Sequence, residues 1–188
     1  MPYKFKEIEV RFLEIDEKSL KRKLLDLGAK DYGKDLLKDD LYYHTDKEFD
    51  DNHKRFCRIR HAKSGMTFTY KHFQSHSATG TKEIEFEIED EESLNAFLVE
   101  MGWERVRRNE VKLHKFVLDK VIFDFKIWPS VPPVVELEGE SEEDLKSAAK
   151  KVGLDWNEVE LRPPPVVLEK VYKIPIHDLK LFTFDKIE

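Results

Sequence analysis

Three short segments carry carboxylates at every second position: Glu7 and Glu9, Glu83, Glu85 and Glu87, and Glu136 and Glu138. Other segments alternate bases in the same way, with Arg58 and Arg60 flanking Ile59, and Lys71 following Thr67 and Thr69. Successive side chains on a β-strand point to opposite faces, so each set shares one face of its strand. Ile8, Val10 and Phe12 oppose Glu7, Glu9 and Arg11, and Asp124 lies between Phe123 and Phe125. By the same parity Arg108, Glu110, Lys112 and His114 oppose Val111 and Leu113. A strand with one wet face explains alternation, but like charges at neighbouring sheet positions repel, and a solvated face normally mixes signs. Segregation by sign suits a bipolar site. Stacked carboxylates, oxygen ligands only, suit a hard divalent cation such as Mg²⁺ or Mn²⁺. Stacked Arg and Lys suit a polyanion, with Arg offering fork-shaped donors to phosphate oxygens.

Such walls need a scaffold that encloses water, ions and ligand, because unpaired charge in a dry interior is prohibitive. A barrel of about eight strands leaves space for one small ligand. Strand candidates include LYYHT, RFCRIRH, MTFTYKHF, EVKLHKFVL and KVIFDFKIW, all rich in aromatic and β-branched residues. A threefold echo links acidic strands to helices: EIEVRF to DEKSLKRKLLDLG, EIEFEIE to DEESLNAFLVEMG, and VVELEGE to SEEDLKSAAKKVG. Asp16, Asp90 and Ser141 are candidate N-caps, and Gly28, Gly102 and Gly153 fit left-handed C-termini. DKEFDDNHK and QSHSATGTK read as loops, and Pro163, Pro164 and Pro165 as a stiff spacer before the C-terminal tail. The expected fold is therefore α+β: a closed eight-stranded antiparallel β-barrel, or tunnel, with helices packed outside. Residues 1–188 form a single domain in this reading, with the tail 163–188 packing on the barrel.

The composition narrows the function. Of 188 residues 40% are hydrophobic and 38% charged, and 33 Lys+Arg against 39 Asp+Glu give a net charge of −6. That balance argues against general nucleic-acid binding. The single cysteine, Cys57, excludes an intramolecular disulfide and a multi-thiolate metal site, and its parity places it among apolar residues. No stretch of the sequence is apolar enough to span a bilayer or serve as a signal peptide, so a cytoplasmic location is expected. Gly28 to Asp35 nearly matches a phosphate-binding loop, but Asp35 stands where Ser or Thr must meet magnesium, and a helix rather than a strand precedes it. His44, His53, His72 and His76 lie in or beside loops without metal-ligand spacing and read as solvent-facing or incidental.

Glu7-Ile8-Glu9-Val10-Arg11 resembles the Glu-x-Glu-x-Lys signature of the CYTH, or triphosphate tunnel metalloenzyme, superfamily. That superfamily includes class IV adenylyl cyclases, thiamine triphosphatases and inorganic triphosphatases. Arg58-Ile59-Arg60 looks like its basic strand, Thr69-Tyr70-Lys71 like its Thr-x-Lys strand, and Glu83 to Glu87 like its central acidic strand. Arg107-Arg108, Phe123-Asp124 and Glu136-Leu137-Glu138-Gly139 resemble the elements that follow, in the same order. The resemblance implies that Glu7, Glu9, Glu136 and Glu138 ligate Mg²⁺ or Mn²⁺, with Glu85 and Asp124 close by. It implies that Arg58, Arg60, Lys71 and Arg108 bind phosphates, Arg108 being preferred to Arg107 by parity. One departure stands out: Arg11 replaces the family Lys, and a guanidinium cannot act as a base, although it can orient a phosphate or a carboxylate.

The expected activity is metal-dependent hydrolysis of a triphosphate, inorganic or organic, with adenylyl cyclase as the leading alternative. Inorganic triphosphate, ATP and thiamine triphosphate are the expected small-molecule partners, and a homodimer is compatible with the sequence. A non-catalytic polyphosphate or nucleotide sensor, and a plain structural barrel, are the rival classes.

Overall fold

The computed structural model describes residues 6–75, 77 and 81–188, with the backbone alone for Lys6 and Glu7. The chain runs β1 (Lys6–Glu7), β2 (Glu9–Phe12), α1 (Glu17–Asp26), β3 (Lys30–His44), α2 (Lys47–Asp50), β4 (Arg55–Ala62), β5 (Gly65–Phe73) and β6 (Thr81–Ile88). It continues through α3 (Glu91–Glu100), β7 (Trp103–Leu118), β8 (Val121–Ile127), β9 (Val134–Glu138), α4 (Glu142–Val152), α5 (Pro164–Lys170) and β10 (Leu181–Phe182). The strands form one sheet in the order β1-β6-β5-β4-β3-β7-β8-β9-β2, antiparallel throughout this path and strongly curled. The short strand β10 joins β7 in parallel. Ile8 alone separates β1 from β2, yet the two pair with opposite ends of the sheet order. Glu7 faces Thr81 on β6, while Glu9 faces Glu138 on β9.

Helix boundaries follow local chemistry. Asp16, Asp90 and Ser141 each accept the backbone N–H three residues on, at Ser19, Ser93 and Asp144, satisfying donors that the first helical turn leaves open. Gly153 ends α4 at φ +78°, a left-handed conformation that costs a Cβ-bearing residue more.

The main apolar core lies outside the curl. Val10 and Phe12, Phe123 and Phe125, and Val135 and Leu137 leave the convex face of β2, β8 and β9 to meet Leu20, Leu24, Leu145 and Ala149 of α1 and α4. A second cluster packs α3 through Leu98 against Tyr42, Cys57, Ile59 and Phe68. Burial raises the Cys57 thiol to about 12, which keeps it an inert core residue. Alternate residues on the same strands are thereby turned to the concave side.

Three local expectations need correction. The triple proline is not a spacer: Pro163 caps α5, and Pro164 and Pro165 open it, where proline's missing N–H costs nothing. The tail then folds inward, with Leu168, Ile176 and Phe182 packing on Leu37, Val111, Trp128 and Val134. The segment from Lys30 to His44, of which only the end reads as a strand in sequence, is one long strand pairing with nearly all of β7. A bulge between Asp31 and Gly33, with Gly33 at φ +88°, absorbs its irregularity. Of the two expected loops, residues 46–54 contain α2. The other is described only at its ends and at Ser77, with Thr81 and Lys82 in β6.

Candidate active site

The concave face bounds a cavity of about 1080 Å³, ample for a triphosphate and its counter-ions. Glu9 and Arg11 from β2, Arg58 and Arg60 from β4, Lys71 from β5, Glu83 and Glu85 from β6, Asp124 and Lys126 from β8, and Glu136 and Glu138 from β9 all line it. The alternation of β2, β4, β5, β8 and β9 does this: one neighbour enters the outer core, the next turns inward, while on β6 the outward Phe86 stays 49% exposed. Glu7 is the exception, since its side chain lies outside the described residues.

The basic side is built by cross-strand pairs. Arg60 faces Asp39 across β3 and β4 and donates to both of its oxygens, Nε at 2.7 Å and an Nη at 2.8 Å. Burial would raise the Asp39 carboxyl, but the Arg60 charge and hydrogen bonds outweigh it and hold it below its ordinary value. Arg58 reaches Thr69 at 3.0 Å and stands 3.5 Å from Glu85, whose same oxygen accepts from the Thr69 hydroxyl at 2.8 Å. Lys71 lies 2.8 Å from Glu83, its register partner on β6.

The acidic side centres on Glu136, in the middle of β9 and buried. Arg11 of β2 donates to one of its oxygens at 3.1 Å, and the Lys126 ammonium of β8 donates to the other. Arg11 also donates to Glu9 at 2.9 Å and to the Arg162 carbonyl. Burial opposes ionisation of Glu136, yet the charges of Lys126 and Arg11 hold its carboxyl well below the usual range. Asp124 goes the other way: burial raises it, with Glu136 and Glu138 adding to the rise. Its Oδ1 is buried without a hydrogen bond, and the Lys115 ammonium stands 3.8 Å off. A buried carboxylate oxygen without a hydrogen bond, beside further carboxylates, offers oxygen donors of the kind a hard divalent cation takes.

Not every expected residue belongs to this cavity. Arg108 turns to the other face and donates to both oxygens of Asp40, at 2.8 and 2.7 Å. Arg107 lines the cavity instead, with Asn109 and Val111 on the same face. The alternation of β7 holds but its faces are the reverse of those expected, because Val111 and Leu113 turn inward to meet the C-terminal segment. Arg107 is itself buried and tied to the Asn109 side chain and the Ile176 carbonyl. His53, expected in a loop, also lines the cavity, held 2.9 Å from buried Asp50 and stacked on both Tyr43 and His177, which also meet each other.

Asp39, Arg107 and Lys126 are among the lining residues that escape the reading of the sequence. Asp39 sits in a stretch with no clear strand period, Arg107 loses to parity, and Lys126 shares its strand face with Asp124, which is the available signal. A separate group of donor atoms, from Asp40, His61 and Glu91, falls within 4.8 Å of one another. There, however, Arg108 already holds Asp40 with two hydrogen bonds and Arg105 lies 3.5 Å away.

The shape of the molecule is shared with solved structures. A Pyrococcus horikoshii protein, PH1012, is 21% identical with a TM-score of 0.69, covering 84% of this chain and 96% of that one. A candidate adenylate cyclase from Vibrio parahaemolyticus is 13% identical with a TM-score of 0.73, over 88% of this chain and 98% of that one. HpAC1 from Hippeastrum, a candidate adenylyl cyclase described as having a dominant triphosphatase activity, is 12% identical with a TM-score of 0.58, over 88% and 96%. These neighbours agree with the CYTH resemblance of the sequence, and at such identities the likeness establishes the fold. No protein-family model matches the sequence, and no curated protein matches it. Among the described residues no helix is long and apolar enough to cross a membrane.

Proposed function

We propose that the curled sheet closes into an eight-stranded tunnel and that the chain hydrolyses a triphosphate in it with the help of a divalent cation, Mg²⁺ or Mn²⁺. Pairing of the first strand with both β6 and β9 supports closure. The observation that carries the functional reading is the opposition of charge around one cavity. Arg58, Arg60 and Lys71 stand on β4 and β5, and Glu9, Glu136 and Glu138 on β2 and β9.

In this reading Glu7, Glu9 and Glu138, with Asp124 Oδ1, would hold the cation, which would supply charge neutralisation and Lewis acidity to phosphate oxygens. Arg58, Arg60 and Lys71 bind the remaining phosphate oxygens and fix the chain in line for attack by water, so that catalysis is mostly positioning and electrostatics. Glu85, bonded to Thr69 and beside Arg58, keeps that guanidinium aimed into the cavity. Arg11 remains protonated and serves Glu9 and Glu136 as a positioning cation rather than as a base. Adenylyl cyclase is the second reading, favoured by the cavity of about 1080 Å³, which has room for an organic group beyond the phosphates, and by the cyclase candidates among the fold neighbours.

Inorganic triphosphate, ATP and thiamine triphosphate, each assayed with Mg²⁺ and Mn²⁺ while resolving phosphate from cyclic AMP, test both readings. Metal-dependent phosphate release is expected. Cyclic AMP as the dominant product would transfer the assignment to the cyclase, and tight binding without turnover would make the chain a sensor.

A further inference from the structure

We infer that Lys126, with Arg11, is a built-in counter-cation that withdraws Glu136 from metal binding, so that the acidic wall holds its divalent cation without that carboxylate. The inference rests on the proposed triphosphate site and specifies which of its carboxylates a metal meets.

Glu136 is the central acid of the wall by register. On β9 it faces Arg11 across β2 and Asp124 across β8. Each of its oxygens is already engaged by a protein cation, Oε1 by the Arg11 guanidinium at 3.1 Å and Oε2 by the Lys126 ammonium. These side chains are largely enclosed, at 4% exposure for Arg11, 17% for Lys126 and 6% for Glu136. A dication approaching Glu136 would meet two like charges at contact distance, in surroundings that screen them less than bulk water does. To reach the carboxylate it would have to break the hydrogen bond from an enclosed ammonium, which is costly.

Asp124 supplies the contrast. It shares the concave face of β8 with Lys126, two residues away, but its buried Oδ1 has no hydrogen bond. Glu136 thus has a hydrogen-bonded cation on each oxygen, whereas Asp124 Oδ1 has the Lys115 ammonium at 3.8 Å and no hydrogen bond. A plain stabilising ion pair would share this geometry, but it makes no statement about metal affinity.

Titration of the whole protein with Mn²⁺ alone, counting bound ions by electron paramagnetic resonance, separates the two. Lys126→Met should raise Mn²⁺ affinity by about tenfold or more, or add a bound ion, because Oε2 of Glu136 then faces the cavity with no ammonium on it and Arg11 alone remains, on Oε1. Lys126→Arg should behave as the parent chain does. Glu136→Gln in the parent background should change Mn²⁺ affinity by less than about threefold, whereas added to Lys126→Met it should erase the gain, an interaction that a double-mutant cycle reads directly. Unchanged or weaker Mn²⁺ binding in Lys126→Met, or a loss above about tenfold in Glu136→Gln, overturns the inference. Should Lys126→Met fail to fold, Glu136→Gln decides alone. If the parent chain binds Mn²⁺ and turns over triphosphate while the variants go the wrong way, only this inference falls. If neither the parent nor Lys126→Met binds Mn²⁺, the triphosphate reading falls with it.

Discussion

Replacing Asp39 by asparagine tests whether Arg60 is held ready for an anion. Asp39 is 4% exposed and accepts two hydrogen bonds from Arg60, at 2.7 and 2.8 Å. Asparagine keeps the shape and one accepting oxygen but removes the charge, leaving a guanidinium that cannot neutralise itself. Removing one partner of a buried ion pair costs about 3–5 kcal/mol. The Arg60 side chain is 21% exposed to the cavity, so the lower end, about 3 kcal/mol, is expected. For a chain of this length that corresponds to a fall in Tm of about 6–12 °C. The same substitution should strengthen binding of inorganic triphosphate, because the anion then supplies the negative charge that the asparagine lacks. Recovery of about half the loss, roughly 1.4 kcal/mol, is a tenfold gain in affinity. Thermal unfolding with and without triphosphate, together with calorimetric titration, reads both effects. A Tm within about 2 °C of the parent, or weaker triphosphate binding, would refute the idea that Asp39 and phosphate compete for Arg60.

Glu138→Gln should abolish metal-dependent turnover while leaving the circular dichroism spectrum and Tm near those of the parent, and retained activity would remove Glu138 from the metal set. Arg60→Ala should weaken triphosphate binding by about tenfold or more, whereas Arg108→Ala, whose guanidinium bonds Asp40 on the other face, should change it by less than about twofold; equal losses would mean that β7 faces the other way. The Glu136 and Asp39 carboxyls lie below their ordinary values of 4.5 and 3.8, so the unfolded chain binds more protons as pH falls. Their stabilisation is complete above those ordinary values and is lost as pH drops through the lower folded ones. Urea unfolding between pH 7 and pH 3 should therefore show a steep fall in stability that Glu136→Gln makes shallower, and an identical slope in that variant would contradict the assignment. Phe123→Ala, which empties a fully buried position between the sheet and its helices, should cost about 3–5 kcal/mol in urea unfolding without altering triphosphate affinity in the folded fraction.

Much of this architecture is legible in alternation alone. Glu9, Arg58, Arg60, Lys71, Glu85, Asp124, Glu136 and Glu138 all reach one cavity because their apolar neighbours have an outer core to enter. The helix starts at Asp16, Asp90 and Ser141 are legible because an N-cap is a local contact, complete within four residues. What escapes depends on distant partners. Parity gives two faces for β7 but not which is concave, and Val111 turns inward only because Ile176 and Leu168 wait there. Asp39 becomes visible through its register with Arg60, and Lys126 through a carboxylate on the next strand. The three prolines carry two valid meanings, rigid spacer and helix start, and packing of Val167 and Leu168 selects the second.

The placement of the first strand has a consequence for biosynthesis. β2 is made before its partner β9, which carries Glu136, 125 residues after Arg11. At about 5–20 residues per second a ribosome needs on the order of ten seconds to deliver that partner. Throughout that interval the nascent strand has unsatisfied edges and an apolar row, Ile8, Val10 and Phe12, open to any neighbouring chain. The glutamates interleaved with that row, Glu7 and Glu9, put like charges on the waiting segment, and charge on an exposed strand edge opposes premature pairing.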